Sequence, residues 1–341
     1  MTRFERVTAA LAGTAALLVL TVPAAAQPDA RTYVARKSFA DLLKIPLEAP
    51  AVSVQVRRAW IEDGVRIEDI SWESLDGERV PAFVLKPENA RGRLPAIVCL
   101  HGSGGSRESM TTAEFGRGSW TTPGRSRSHT RMLGWARELA RRGYVALALT
   151  QRGLDRRKPP INQQANVMLV HGRTAMGAVL YEIRQGVTHL VSRPDVDPRR
   201  IGATGMSFGG ITAFYVWILD DRVAAAAPIC GGVGSVELFA RLGSIGYHGT
   251  YWWIPGMLAK GDQADFAAAV APKPLMLWAP TEDIGMPKQA VDRFVAAVRP
   301  VYEKAGAPDA FVVHQPPGPH SFTPEAFDAM LAFFNRVFRM E

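Results

Sequence analysis

Cysteine is nearly absent from this 341-residue chain, which holds only Cys99 and Cys230. Two cysteines make neither a disulfide framework nor a cysteine-rich metal site. Each ends an apolar run, where a buried free thiol is the expected state. His-Glu-x-x-His, Cys-x-x-Cys and His-x-His pairs are also missing, so no metal is expected. Without a complete Gly-x-Gly-x-x-Gly or a Gly-Lys-Ser/Thr phosphate loop, no cofactor is expected either. Internal repeats and low-complexity tracts are lacking. The formal charge is +8, yet the arginines are scattered rather than interleaved with aromatics, so the basic character reads as solvated surface and nucleic acid is not an expected partner.

Long apolar runs are lacking too, except at the start, where Arg3 and Arg6 precede Ala9 to Val22 and the run closes on Ala24-Ala25-Ala26. That order reads as a cleaved signal peptide over residues 1–26, leaving a periplasmic or secreted protein of residues 27–341. The run is short for a bilayer span, and no later segment reads as one. Cleavage removes Arg3, Glu5 and Arg6, so the mature chain stays basic.

What remains alternates between two patterns. "VRIEDISWESLDGERVPAFVLKP" alternates apolar and polar residues on both sides of Asp76-Gly77, a hairpin signal. "LPAIVCL", "YVALALT", "RIGATG", "VAAAAPICG", "PLMLWAP" and "AFVVHQ" read as buried strands. Between them, "MLGWARELARRG", "TAMGAVLYEIRQGVTHLVS", "GITAFYVWIL", "QAVDRFVAAVRPVYEKAG" and a terminal "PEAFDAMLAFFNRVF" carry helical spacing. This predicts one α/β domain: a mainly parallel sheet with an antiparallel N-terminal edge and helices on both faces. Two insertions without clear period, at about 106–129 and 232–262, are expected as loops or lids over a site.

A serine is crowded by glycine in "GATGMSFGG". In an open parallel sheet, ligands bind beyond the carboxyl ends of strands, and Ser207 follows such an end. Gly205-x-Ser207-x-Gly209 between a strand and a helix describes a strained turn that lifts the hydroxyl above the sheet. The next helix would place the Phe208 amide beside it, and the glycine-rich loop His101-Gly102-Ser103-Gly104-Gly105 would offer a second amide, from Ser103 or Gly104. Serine needs a base oriented by a carboxylate. His320, in the loop before the last helix, and Asp283, after "PLMLWAP", fall in the chain order that this arrangement uses, with Glu282 as the reserve acid. His314 lies inside a strand and reads as structural, and His101 as a brace of the donor loop. The aromatics Trp120, Tyr247, Tyr251, Trp252 and Trp253 read equally as a substrate pocket and as the core of the insertions, with His248 positioned to touch substrate.

On "HGSGG", "SRPDVDPRRIGATGMSFGG", "IPGMLAKGDQADFAAAVAPKPLML", Asp283 with Pro287, and "GPHSF", residues 65 to 338 resemble the α/β-hydrolase superfamily, within it the dienelactone hydrolase-like and acetyl xylan esterase-like group. The resemblance implies Ser207 as nucleophile, Asp283 as acid, His320 as base, and amides near Ser103 and Phe208 as oxyanion donors. Thr150-Gln151-Arg152-Gly153 stands where such enzymes often carry Asp-x-Arg-Gly, which leaves the role of Arg152 open. "APTED" lacks the glycine that often precedes the acid. The expectation is an exported serine esterase acting on a small-molecule or carbohydrate ester, such as a short-acyl ester of a polysaccharide. A peptidase of the prolyl oligopeptidase kind and a noncatalytic binding protein are the alternatives.

Overall fold

The computed structural model describes residues 29–112, 114–121, 128–242 and 248–340, with the side chains of 119–121 and 128–129 also outside the description. The expected signal segment lies outside the described residues, as do Tyr247 and the side chain of Trp120.

Strand β1 (Gln55–Glu62) pairs antiparallel with β2 (Val65–Glu73), and β2 with β3 (Arg79–Pro87) across the Asp76-Gly77 turn. The third strand then meets β7 (Val145–Leu149), again antiparallel. From there the order is β7, β4 (Leu94–Leu100), β8 (Val196–Met206), β9 (Ala225–Ile229), β10 (Leu275–Trp278), β11 (Phe311–His314), with parallel pairing throughout. The parallel sheet and its antiparallel edge are therefore those expected.

Continuous apolar runs make such strands because both faces are covered. In β4, Ala96, Val98 and Leu100 enter one core while Ile97 and Cys99 enter the other. The first core is closed by α1 (Ala30–Leu43), α5 (Ala175–Ser192), α6 (Phe208–Leu219), α8 (Gln263–Val270) and α9 (Lys288–Lys304). The second is closed by α3 (Trp135–Arg141) and α10 (Pro324–Phe338). Both cysteines are free and buried.

Several elements depart from expectation. Helix α3 begins at Trp135, because Gly134 takes φ +63 and Met132 and Leu133 belong to a strand instead. In the described part of the first insertion, α2 (Arg107–Thr111) is followed by the antiparallel pair β5 (Gly116–Thr121) and β6 (Ser128–Leu133). Helices α1 and α4 (Ile161–Val170) form where no helical pattern had been read. Among its described residues, the second insertion holds α7 (Val236–Arg241) and the single 3-10 turns Thr250–Trp252 and Met257–Ala259.

Candidate active site

Ser207 occupies the single residue between β8 and α6, with φ 57 and ψ −119. A non-glycine residue in this region is strained and persists only where its surroundings hold it. Here the Ser207 amide donates to Ile229 O at 2.9 Å, while the Ser207 carbonyl accepts from Gly210 at 2.9 Å. The glycines are needed for contact rather than for freedom. A Cβ at Gly205 would lie 2.2 Å from Leu100 O, and one at Gly209 would lie 2.0 Å from the same oxygen. The close seating of β8 and α6 against the end of β4 thus answers why the serine is flanked by glycines.

The loop after β4 comes equally close. A Cβ at Gly102 would stand 3.2 Å from Ser207 Cβ, and the loop closes through Gly105 N–H to Gly102 O at 2.9 Å. His101 braces it as expected. The Gln151 amide donates to His101 Nε2 at 3.0 Å, which leaves Nδ1 to donate to Gly102 O at 2.7 Å. Burial pushes the His101 pKa down to about 4, so the ring stays a neutral strut. Phe208 begins α6, and its amide belongs to the first helical turn, which has no intrahelical acceptor.

His320 and Asp283 meet. The imidazole Nδ1 donates to Asp283 Oδ2 at 2.7 Å, and Asp283 Oδ1 accepts the Gly285 amide at 2.9 Å. Both side chains are buried, whereas Glu282 is exposed. His314 stays in β11 and pairs with the Trp278 ring instead.

Ser207, His320, Ser103, Gly104 and Phe208 all line one cavity of about 210 Å³. Its apolar wall is built by Met110, Met132, Trp135 and Phe322. His248, Tyr251 and Trp252 line the cavity as well. The His248 ring stacks on Trp252 at 4.4 Å and its Nε2 donates to Gly285 O at 2.8 Å; desolvation lowers its pKa to about 4. Tyr251 sits edge-on to Phe208 at 4.8 Å and its hydroxyl meets Ser103 Oγ at 3.1 Å, tying the second insertion to the donor loop. Trp253 corrects the expectation: it packs against the first core and the Trp252 ring rather than lining the cavity. The described members of the aromatic cluster therefore divide between pocket and core.

Arg152 is not at the cavity. It is 2 % exposed and bonded to Asp76, Glu78 and Glu182, a buried ion network that ties the β2–β3 turn to α5. Arg131, which sequence reading missed, does reach the cavity and donates to Gly104 O at 2.9 Å. Its place depends on the β5–β6 pair, which no local pattern announced.

The profile of the dienelactone hydrolase family matches residues 127–335. The Bacillus subtilis (strain 168) protein named "Putative hydrolase YtaP" is 26% identical over 279 residues, spanning 82% of this chain and 90% of that protein. Among solved structures, the glucuronoyl esterase from Solibacter usitatus superposes with a TM-score of 0.63 at 15% identity, covering 88% of this chain and 91% of that one. Acetyl xylan esterase 1 from Thermoanaerobacterium sp. JW/SL YS485 gives 0.60 at 14% identity, covering 91% and 95%. With the sheet order above, these likenesses assign the α/β-hydrolase fold.

Proposed function

The chain belongs to the dienelactone hydrolase family, and from that premise we propose that it is an exported serine hydrolase of carboxylic esters. The observation that carries the reading is the strained Ser207 sharing a cavity with His320, whose Nδ1 is held by Asp283 at 2.7 Å.

In this reading the Ser207 oxygen attacks the ester carbonyl while His320 Nε2 takes its proton. Asp283 holds the ring and offsets the imidazolium charge. The oxyanion lies between the Phe208 amide and that of Ser103 or Gly104. The tetrahedral adduct collapses, the alcohol leaves with the proton from His320, and water repeats the sequence to free the acid. Export rests on the arginine-led apolar run that closes on Ala24-Ala25-Ala26.

The substrate class proposed is acetyl or other short-acyl esters of carbohydrates. A cavity of about 210 Å³ lined by Met110, Met132 and several aromatic side chains suits a small acyl group beside a ring. Two of its structural relatives are named as a glucuronoyl esterase and an acetyl xylan esterase. The test is a panel of p-nitrophenyl esters of rising acyl length and acetylated xylan, run beside aminoacyl and prolyl amides. Turnover of short esters with none of amides is expected; preference for the amides would favour the peptidase.

A further inference from the structure

We propose that Cys230, Asp283 and His320 together form a binding site for one thiophilic divalent cation such as zinc, and that filling it switches the hydrolase off. The inhibitory half rests on the function proposed above; the binding half does not.

The thiol of Cys230 has no part in the ester chemistry, yet it stands among that chemistry's residues. One ligand atom each from Cys230, Asp283 and His320 lie within 4.8 Å of one another, and all three residues are buried. Sulfur, carboxylate oxygen and imidazole nitrogen are the zinc-binding donors, and with bonds of about 2.0–2.3 Å a tetrahedral ion sets its ligand atoms about 3–4 Å apart. Small shifts of side chains therefore suffice to close the set.

Backbone geometry fixes each donor separately. Cys230 follows β9 with φ 49, Asp283 follows β10, and His320 follows β11. Parallel pairing of β9, β10 and β11 brings these three chain ends to one rim. The Cys230 amide is also tied to Trp278 O at 2.8 Å. Cys230 and His320 line the cavity, so an ion has a path from solvent and a water can complete its shell.

Without an ion, the thiol donates to Ser321 O at 3.3 Å, and burial pushes its pKa well above the ordinary value. It is thus a neutral group rather than a second nucleophile. A divalent cation displaces the thiol proton to solvent and binds the thiolate. On His320 the ion takes Nδ1, and the ring proton moves to Nε2. A protonated Nε2 cannot accept the proton of Ser207, so the base is lost while the fold is kept.

The full chain, titrated with cadmium and followed by the thiolate-to-metal charge-transfer absorbance, is expected to bind one ion at this site. The band should persist in Ser207→Ala and Cys99→Ser and vanish in Cys230→Ser. Zinc should suppress p-nitrophenyl acetate turnover, a chelator should restore it, and the half-inhibiting zinc concentration should rise by about tenfold or more in Cys230→Ser. Should that variant fail to fold, Asp283→Asn is expected to weaken cadmium binding by about tenfold or more. No band in the wild type, a band lost with Cys99→Ser alone, cadmium binding unaltered in Asp283→Asn, or zinc inhibition unaltered in Cys230→Ser would overturn the site. Cadmium bound through Cys230 in a chain that hydrolyses no ester would uphold the site and remove the hydrolase reading instead.

Discussion

His320 Nδ1 lies 2.7 Å from Asp283 Oδ2, with both side chains shielded from solvent. A carboxylate only accepts, so this contact places the ring proton on Nδ1 and makes Nε2 the ring's acceptor nitrogen. Asp283→Asn is expected to lower kcat by about 10³–10⁴ with the fold retained, because the amide favours the wrong tautomer. Steady-state kinetics beside circular dichroism checks it. An unaltered kcat, with loss in Glu282→Gln instead, would move the role to Glu282.

Gly205 and Gly209 face the carbonyl of Leu100, which is backbone and cannot swing aside. Alanine at either position is expected to cost about 3 kcal/mol or more, or to displace the serine and abolish turnover. Gly116→Ala meets nothing within 4 Å and should be near neutral. Urea midpoints and ester turnover of the three variants decide this; equal behaviour would contradict the contact argument.

Arg152, Arg157 and Glu182 form a buried network joined to Asp76 and Glu78. Removing one charge strands the others in low dielectric, so Glu182→Gln is expected to lose about 3–5 kcal/mol of stability. Turnover per folded molecule should be unaffected, since none of these residues lines the cavity. A kcat loss in the folded variant, measured against its urea-unfolding curve, would give the network a role in catalysis.

The neutral His101 makes stability depend on pH. Its folded pKa of about 4 lies below the ordinary 6.5, so the unfolded chain takes up the proton first as pH falls. The contribution is full above pH 6.5 and is lost progressively down to about pH 4, on the order of 3 kcal/mol at the limit. Thermal midpoints between pH 4 and 7 should fall with acid, and His101→Gln should flatten part of that slope. A wild-type midpoint that holds constant over this range would contradict the assignment.

The parallel strands were legible because burial on both faces leaves an uninterrupted apolar run, as in "LPAIVCL". Helix α1 was not, because its buried face includes Arg36, which donates to Ile218 O at 2.9 Å across the fold. Charge there looks like surface until the partner is seen. In α4, Val167, Leu169 and Val170 are exposed while Gln164 is buried beside Ile161, Ala165 and Met168, which blurs the apolar stripe. The meeting of Asp283 with His320, and of His320 with Ser207 at one cavity, was readable from turn chemistry and chain order. Arg131, Met132 and Trp135 were not, since their arrival at the cavity follows from the β5–β6 pair and from the break at Gly134.

The account turns on Ser207 being a nucleophile, and covalent capture tests that most directly. A fluorophosphonate probe should label the wild-type chain at Ser207, detected by mass spectrometry of the modified peptide, with parallel loss of p-nitrophenyl acetate turnover. Ser207→Ala should take no label. A wild-type chain that folds but stays unlabelled, or a Ser207→Ala chain that still hydrolyses the ester at the wild-type rate, would contradict it.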